Sequence, residues 1–168
     1  MRRSLIIAWI MTVLLAAWPF GPTAAAPQCY PTNRFVVLTG GMVEDTLTRL
    51  VWQQDGSGPR AGCSGVDGLT CTWAEAKAYC AGLATSKFGG HSDWRLPTVK
   101  ELRSIVDYRV AAPGPTIDKT AFPNTPAERF WTSSPYAGSS GDAWYVFFNN
   151  GYSGNFVVGL SNRVRCVR

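Results

Sequence analysis

The distribution of hydrophobic and polar residues divides the chain into a short apolar leader and a longer mixed segment. Arg2 and Arg3 precede an uncharged apolar run over residues 4–18, and small residues follow at 23–26. A basic start, an apolar run and a small-residue stretch in that order are typical of a secretory signal peptide. The run is shorter than the roughly 20 residues that a membrane span needs, with an uncleaved anchor as the alternative. We predict a signal peptide over 1–26, a lead-in over 27–33 and one domain over 34–168.

Two segments of the domain carry apolar residues at helical spacing behind a capping motif. Thr72 is followed three residues later by Glu75, and Thr98 is followed by Glu101 in the same way. A Thr and a Glu at that spacing satisfy backbone N–H groups at the start of a helix. We predict one helix after each cap. Their apolar faces are Trp73, Ala76, Cys80 and Leu83 in the first, and Val99, Leu102, Ile105 and Val106 in the second.

Short β-prone runs flank these helices on both sides. Asn149-Asn150-Gly151 predicts a hairpin turn, because Asn and Gly tolerate positive φ. The Gly-rich residues 55–70 and the Pro-containing residues 109–129 predict loops. The strand candidates are residues 34–38, 42–44, 49–53, 130–133, 143–148, 155–158 and 163–167. This order predicts an α+β fold in which two helices pack on short antiparallel strands.

All five cysteines follow the predicted signal peptide, so we expect them to mature in an oxidising compartment, the periplasm or the cell exterior. Connectivity does not follow from sequence alone. We predict the pairs Cys63–Cys71 and Cys80–Cys166, which leave Cys29 as the odd cysteine. Cys29 could then bridge to a second chain, which makes an oligomer one of the expected states.

The charge excess is small and gathers at the end of the chain. Lys and Arg outnumber Asp and Glu by 16 to 11, and the excess falls to +3 without Arg2 and Arg3. Strand alternation would place Cys166 inward and Arg163 and Arg165 outward. Together with Arg168 they form a terminal basic stripe, which could protect an edge strand or capture an anion through its planar guanidinium groups. An exported chain with so weak an excess is not expected to bind nucleic acid.

Several stretches of the chain resemble the Lcl C-terminal domain family, named for a collagen-like adhesin of Legionella. The most specific are SDWRLPTVKEL at 92–102 and the terminal VRCVR at 164–168. The chain departs from the family pattern at Arg49, because a glycine is usual in the family at the position before Leu50. The other matching stretches are 48–52, 72–80, 103–108, 122–125, 130–137 and 143–147.

This resemblance carries expectations about fold and function. It implies a compact, disulfide-bonded α+β domain, remotely similar to the C-type lectin-like and formylglycine-generating-enzyme folds. It implies adhesion or ligand binding more than catalysis, since the adhesin domain is associated with sulfated polysaccharides. A divergent enzyme of the formylglycine type and a structural envelope protein that binds a protein partner are the alternatives.

The residues offer little catalytic or metal-binding chemistry. His91 is the only histidine and lies in a Gly-Gly-His-Ser-Asp loop, so we expect neither a catalytic triad nor a zinc site. Asp142, Asn149, Asn150 and Asn155 could gather around calcium, although turn formation explains them better. We therefore predict no catalytic residue, no metal and no cofactor.

Aromatic residues crowd the last third of the chain and suggest a binding surface instead. Most of the rings are expected in the core, but an exposed tyrosine offers a flat, rigid surface with a hydroxyl for sugar or protein contacts. We predict an exported, non-catalytic adhesion domain that binds an anionic polysaccharide or an envelope component, and meets a membrane only through its signal segment. The predicted ligand-binding residues are Tyr136, Tyr145, Asn149, Tyr152, Arg163 and Arg165.

Overall fold

Two helices and two small sheets form the part of the chain that this computed structural model describes, residues 33–168. The predicted signal peptide, Cys29 and nearly all of the lead-in lie outside the described residues. Within residues 33–168 no helix is long and apolar enough to cross a membrane. In chain order the elements are β1 Phe35–Leu38, β2 Met42–Asp45, β3 Val51–Gln53, α1 Trp73–Thr85, α2 Val99–Ser104, β4 Arg129–Pro135, β5 Asp142–Phe147 and β6 Tyr152–Val157.

Both helices begin at the predicted capping boxes. The Thr72 hydroxyl accepts a hydrogen bond from the Glu75 backbone N–H, and the Glu75 carboxylate accepts one from the Thr72 N–H at 2.9 Å. Thr98 and Glu101 form the same pair at the start of α2, with 2.7 Å between the Thr98 nitrogen and the carboxylate. Helix α2 ends at Ser104, earlier than its apolar pattern suggests, but the following Ile105 and Val106 are still buried.

The two sheets are antiparallel, with strand orders β1-β2-β3 and β4-β5-β6. The predicted hairpin turn joins β5 to β6, and Gly151 supplies the positive φ of +76° that the turn requires. A hydrophobic cluster lies on each side of the second sheet. One contains Trp131 and Tyr145, and the other contains Phe130. The predicted α+β class is therefore confirmed, whereas the remote likeness to lectin-like folds stays a prediction.

The last predicted strand, 163–167, is wrong as a strand. The segment forms only isolated bridges, which pair Arg163 with Phe130 and Val167 with both Trp52 and Arg95. Its backbone hydrogen bonds are shared among several neighbours. Because the segment is surrounded in this way, consecutive residues are buried and the expected inside–outside alternation fails at Arg165.

Two disulfides join the predicted pairs. Cys80 on α1 is bonded to Cys166 in the terminal segment, across 86 residues of sequence. Cys63 is bonded to Cys71, only 8 residues away, and closes part of the Gly-rich loop before α1. The first bond ties a helix to the chain end, and the second constrains a local loop.

One departure from the family pattern has a structural counterpart. Arg49, in the turn between β2 and β3, has a φ of +63°. A left-handed backbone is easiest for glycine, which explains why glycine is usual at this position. The Arg49 side chain is 77 % exposed and pairs with Glu44 at 2.9 Å, so the larger residue fits by pointing outward.

Candidate functional site

A surface groove lies between the end of α2 and the turn that joins β5 to β6. It has a volume of about 500 Å³. A neighbouring hollow of about 330 Å³ shares Arg103 and Tyr108 with it and extends along α2 to Lys100. We call the two together the α2–hairpin groove. The residues that line its larger part are Arg103, Tyr108, Asn150, Gly151, Tyr152 and Ser153.

Local backbone chemistry brings Tyr108 against the hairpin turn. Gly151 has no side chain at the contact, and a Cβ there would lie 2.7 Å from the Tyr108 ring and 2.8 Å from Val106. The Tyr108 hydroxyl donates to the Gly151 carbonyl at 3.3 Å. Asn150 shapes the turn from the other side, because its side-chain oxygen accepts the Tyr152 N–H at 3.0 Å. The groove therefore depends on a glycine at position 151.

Two exposed tyrosines border the groove. Tyr108 is 62 % exposed and Tyr152 is 59 % exposed, values that are high for aromatic residues. A tyrosine ring has few rotatable bonds, so it offers contact area at a small cost in conformational entropy. These two rings provide an apolar surface with a hydroxyl at each edge, which suits the mixed polar and apolar faces of a sugar.

The groove carries positive charge without a neutralising carboxylate. In the described part of the chain, no acidic side chain forms an ion pair with Lys100 or Arg103. The carboxylate next to Tyr108 belongs to Asp107, and hydrogen bonds from Arg109 lower its pKa. Arg109 and Asp107 form an ion pair at 2.8 Å, and the Asp107 carboxylate is therefore already neutralised by Arg109. The site can therefore attract an anion.

The predicted tyrosines and Asn149 are only partly brought together. Tyr152 lines the groove, and the half-buried Asn149 precedes the groove residue Asn150. Tyr145 is 8 % exposed and packs against Tyr152 with 6.4 Å between ring centroids, so it supports the surface and does not form it. Tyr136 follows β4 at the opposite end of the sheet, where its ring contacts Trp144 at 5.4 Å.

The predicted terminal basic stripe is wrong. Arg165 is fully buried between the rings of Phe122 and Phe130, whose centroids lie 4.7 and 5.7 Å from its guanidinium carbon. It donates to the Thr125 hydroxyl at 2.8 Å. Burial, reinforced by the nearby charge of Arg60, lowers the pKa of Arg165 to about 9, so the group stays charged at neutral pH. Arg165 cannot contact a ligand at the surface.

The other arginines of that stripe are paired. Arg163 forms an ion pair with Glu128 at 2.8 Å, and its side chain is mostly buried. Arg168 pairs with Asp93 at 2.8 Å, and that hydrogen bond lowers the pKa of Asp93. Neither cation is available to a ligand without breaking an existing contact.

The polar residues that could have been calcium ligands do not lie around one point. Asn155 donates to Asp142 at 2.8 Å near one end of the β5–β6 hairpin. Asn149 and Asn150 lie in the turn at the other end of the same hairpin. Across residues 33–168, no group of three or more His, Cys, Asp or Glu side chains is placed to hold a metal ion.

Sequence reasoning missed three residues of the groove, namely Lys100, Arg103 and Tyr108. Lys100 and Arg103 are spaced i, i+3, so they lie on one face of α2. A pair of cations on the polar face of a short helix, followed closely by a tyrosine, is the signal that could have indicated them. This signal does not stand out in the sequence, because charged residues on an exposed helix face are common.

Comparison with known proteins supports the family resemblance. The search of curated proteins finds no match to this chain. A family model described as "Lcl C-terminal domain" matches residues 41–168, which include α1, α2 and strands β2 to β6. This match spans well over half of the chain, and the chain therefore belongs to the Lcl C-terminal domain family.

Proposed function

We propose that this protein is an exported adhesion domain that binds an acidic polysaccharide in the α2–hairpin groove without a catalytic step. The observation that carries the proposal is the pairing of two exposed rings, Tyr108 and Tyr152, with cations that no described carboxylate neutralises. Membership of a family named for an adhesin supports the binding role. The two disulfides favour an oxidising compartment outside the cytoplasm.

The residues of the groove suit a sugar that carries carboxylate or sulfate groups. The guanidinium of Arg103 can donate two parallel hydrogen bonds to either group. The tyrosine rings can contact the apolar face of a sugar ring while their hydroxyls hydrogen-bond to its edge. Because the cations are near the surface, their attraction is screened over about 8 Å in physiological salt. Binding should therefore weaken as salt is added.

A non-catalytic role also agrees with the cysteine chemistry. Formylglycine-type catalysis needs reactive thiols, but all four cysteines of residues 33–168 are held in disulfides. Titration of free thiols in the folded protein tests this point. A reactive thiol pair involving Cys80 or Cys166 would favour the enzyme alternative.

Retention on immobilised heparin tests the proposal directly. We expect the wild-type protein to be retained at low salt and Arg103→Gln to elute at a clearly lower salt concentration. Arg49→Gln is a matched control, because it removes the same charge from an exposed arginine in the turn between β2 and β3. Tyr152→Ala should weaken retention without a change in charge. Wild-type protein that fails to bind at low salt, or equal elution of Arg103→Gln and Arg49→Gln, would contradict the proposal.

Binding to an envelope protein is the second candidate, and edge strand β1 favours it. β1 is the outer strand of its sheet, and Val36 and Val37 are 41 % and 52 % exposed. An exposed apolar edge can pair with a strand of another chain. A Val37→Lys variant should lose co-purification with an envelope protein if this candidate is right. Heparin retention should be unaffected by the same substitution.

A further inference from the structure

Arg129, at the start of β4, lies over a group of three aromatic rings. Its guanidinium carbon is 5.2 Å from the ring centroid of Tyr145, 5.6 Å from that of Phe147 and 5.1 Å from that of Phe156. Distances below about 6 Å allow a favourable cation–π interaction. Three such contacts hold the planar group in one place on the surface of the second sheet.

The charge of Arg129 has no acidic partner among residues 33–168, although its neighbours in sequence and space are paired. Glu128, one residue earlier, is bound to Arg163. Arg129 itself is exposed, and none of the ion pairs of the described chain includes it. Aromatic rings offer no strong hydrogen-bond acceptor in the plane of the guanidinium. The N–H groups at the edge of the Arg129 guanidinium therefore face solvent or a ligand. The three rings already hold this side chain in place before a ligand binds.

Strand register places Arg129 in line with Tyr152. Arg129 is directly opposite Phe147 on β5, and Phe147 is directly opposite Tyr152 on β6. Directly opposed residues share one face of a sheet, with about 5 Å between their Cβ atoms. Arg129 and Tyr152 are thus about 10 Å apart across the strands. Phe147 lies between them and remains partly exposed.

The row meets the α2–hairpin groove only at the hairpin turn, because α2 packs on the opposite side of the second sheet. Tyr152 both ends the row and lines the groove beside Arg103. Its ring also contacts Tyr145, one of the three rings under Arg129. We call the surface from Arg129 through Phe147 to Tyr152 the arginine–aromatic row. It starts at the edge of the groove and places a second cation, Arg129, on the side of the sheet opposite to α2.

We propose that the arginine–aromatic row is a second subsite for the acidic glycan, in which Arg129 binds a carboxylate or sulfate group and Phe147 and Tyr152 contact the intervening sugar. The inference rests on the proposed function of the groove. It adds that a long glycan passes around the hairpin turn at Tyr152, so that one chain engages Arg103 on one side of the second sheet and Arg129 on the other. Binding should therefore favour long chains, because the second contact is made within the same complex.

Arg129→Gln tests this inference with purified full-length protein. The probes are a long heparin chain, a heparin disaccharide, dextran sulfate and polygalacturonate. We expect Arg129→Gln to weaken long-chain heparin binding about tenfold, the loss of one charge-assisted hydrogen-bonded contact. The dependence of affinity on salt should also become shallower, because fewer counterions are released from the polyanion. Arg129→Lys should recover only part of the loss, since lysine keeps the charge but lacks the planar fork.

Control variants distinguish a loss of binding at the row from a general effect of lost positive charge and from a loss of binding in the groove. Arg49→Gln removes one exposed charge elsewhere and should leave affinity close to wild type. The two non-heparin polymers identify the group that is bound, because dextran sulfate carries only sulfate and polygalacturonate carries only carboxylate. A loss in Arg129→Gln with either polymer supports the row and names its preferred anion. Unfolding midpoints of each variant verify that the fold is retained.

Four outcomes would overturn the inference. If Arg103→Gln weakens long-chain binding and Arg129→Gln does not, the groove stands and the second subsite is refuted. If Arg129→Gln and Arg49→Gln weaken binding equally, only net charge matters and the row is refuted. If the wild-type protein binds none of the long polymers, the proposed function fails together with the row. Equal affinity for the heparin disaccharide and for the long heparin chain would also refute binding by two cations.

Discussion

Removal of the long-range disulfide should destabilise this domain more than removal of the local one. The perturbation is the double substitution Cys80→Ala/Cys166→Ala, compared with Cys63→Ala/Cys71→Ala. Both bonds are part of the same domain, and each double variant deletes two sulfur atoms. The main difference between them is the length of chain that each bond closes in the unfolded state.

The expected magnitudes follow from loop closure. In the chain-entropy description, a sequence separation of 86 residues corresponds to about 4.6 kcal/mol at 25 °C. A separation of 8 residues corresponds to about 2.5 kcal/mol. Truncation of a buried cysteine adds a packing loss in both cases, because Cys80, Cys166 and Cys71 are all fully buried. We therefore expect the Cys80/Cys166 variant to lose about 2 kcal/mol more than the Cys63/Cys71 variant.

Urea denaturation of the oxidised proteins provides the measurement. The free energy of unfolding in water should fall in both double variants, with the larger fall for Cys80→Ala/Cys166→Ala. The slope of free energy against urea should also rise more for that variant, because its unfolded chain is no longer held compact. Equal losses of stability in the two variants, or a larger loss for the local pair, would refute the argument from loop length.

Two further predictions concern the start of α2 and the hairpin turn. A bidentate hydrogen bond from Arg95 lowers the pKa of Glu101 to about 2, so its stabilising contribution is complete above its usual pKa and is lost as pH falls from about 4.5 toward 2. Unfolding midpoints measured over that range should vary less in Glu101→Gln, and an unchanged pH profile would contradict this. Gly151→Ala should cost about 1–2 kcal/mol and reduce heparin retention, because it combines a positive φ with a clash against Tyr108. Gly82→Ala in α1, where a Cβ meets nothing within 4 Å, is the matched control and should be neutral or stabilising, and equal loss in both variants would contradict the proposed contact.

The helices and the hairpin could be predicted because their signals are local. Thr72 and Thr98 reach donors only three residues away, and Gly151 adopts its positive φ within a turn of a few residues. Such interactions depend little on the rest of the fold. The capping boxes and the turn therefore appear in the structure where the sequence placed them.

The environment of Arg165 shows where local reasoning fails. Alternation predicts an outward arginine only if one face of a strand meets solvent. Here the terminal segment is enclosed on both sides, so Arg165 packs between Phe122 and Phe130 while its neighbours are buried as well. Whether both sides of a segment are covered depends on the arrangement of other elements, and the alternation of its own residues contains no information about it.

The sequence by itself determined the α+β composition, the two capped helices, the β5–β6 turn and the family to which the domain belongs. Only the tertiary structure decided which charges and rings reach solvent together. Arg103 and Tyr152 are far apart in the chain, and they line one groove because the hairpin turn packs against the segment that follows α2. Burial likewise removed Arg165 from the surface and left Arg129 on it. A binding surface is formed by contacts between distant segments, and those contacts exist only once the chain has folded.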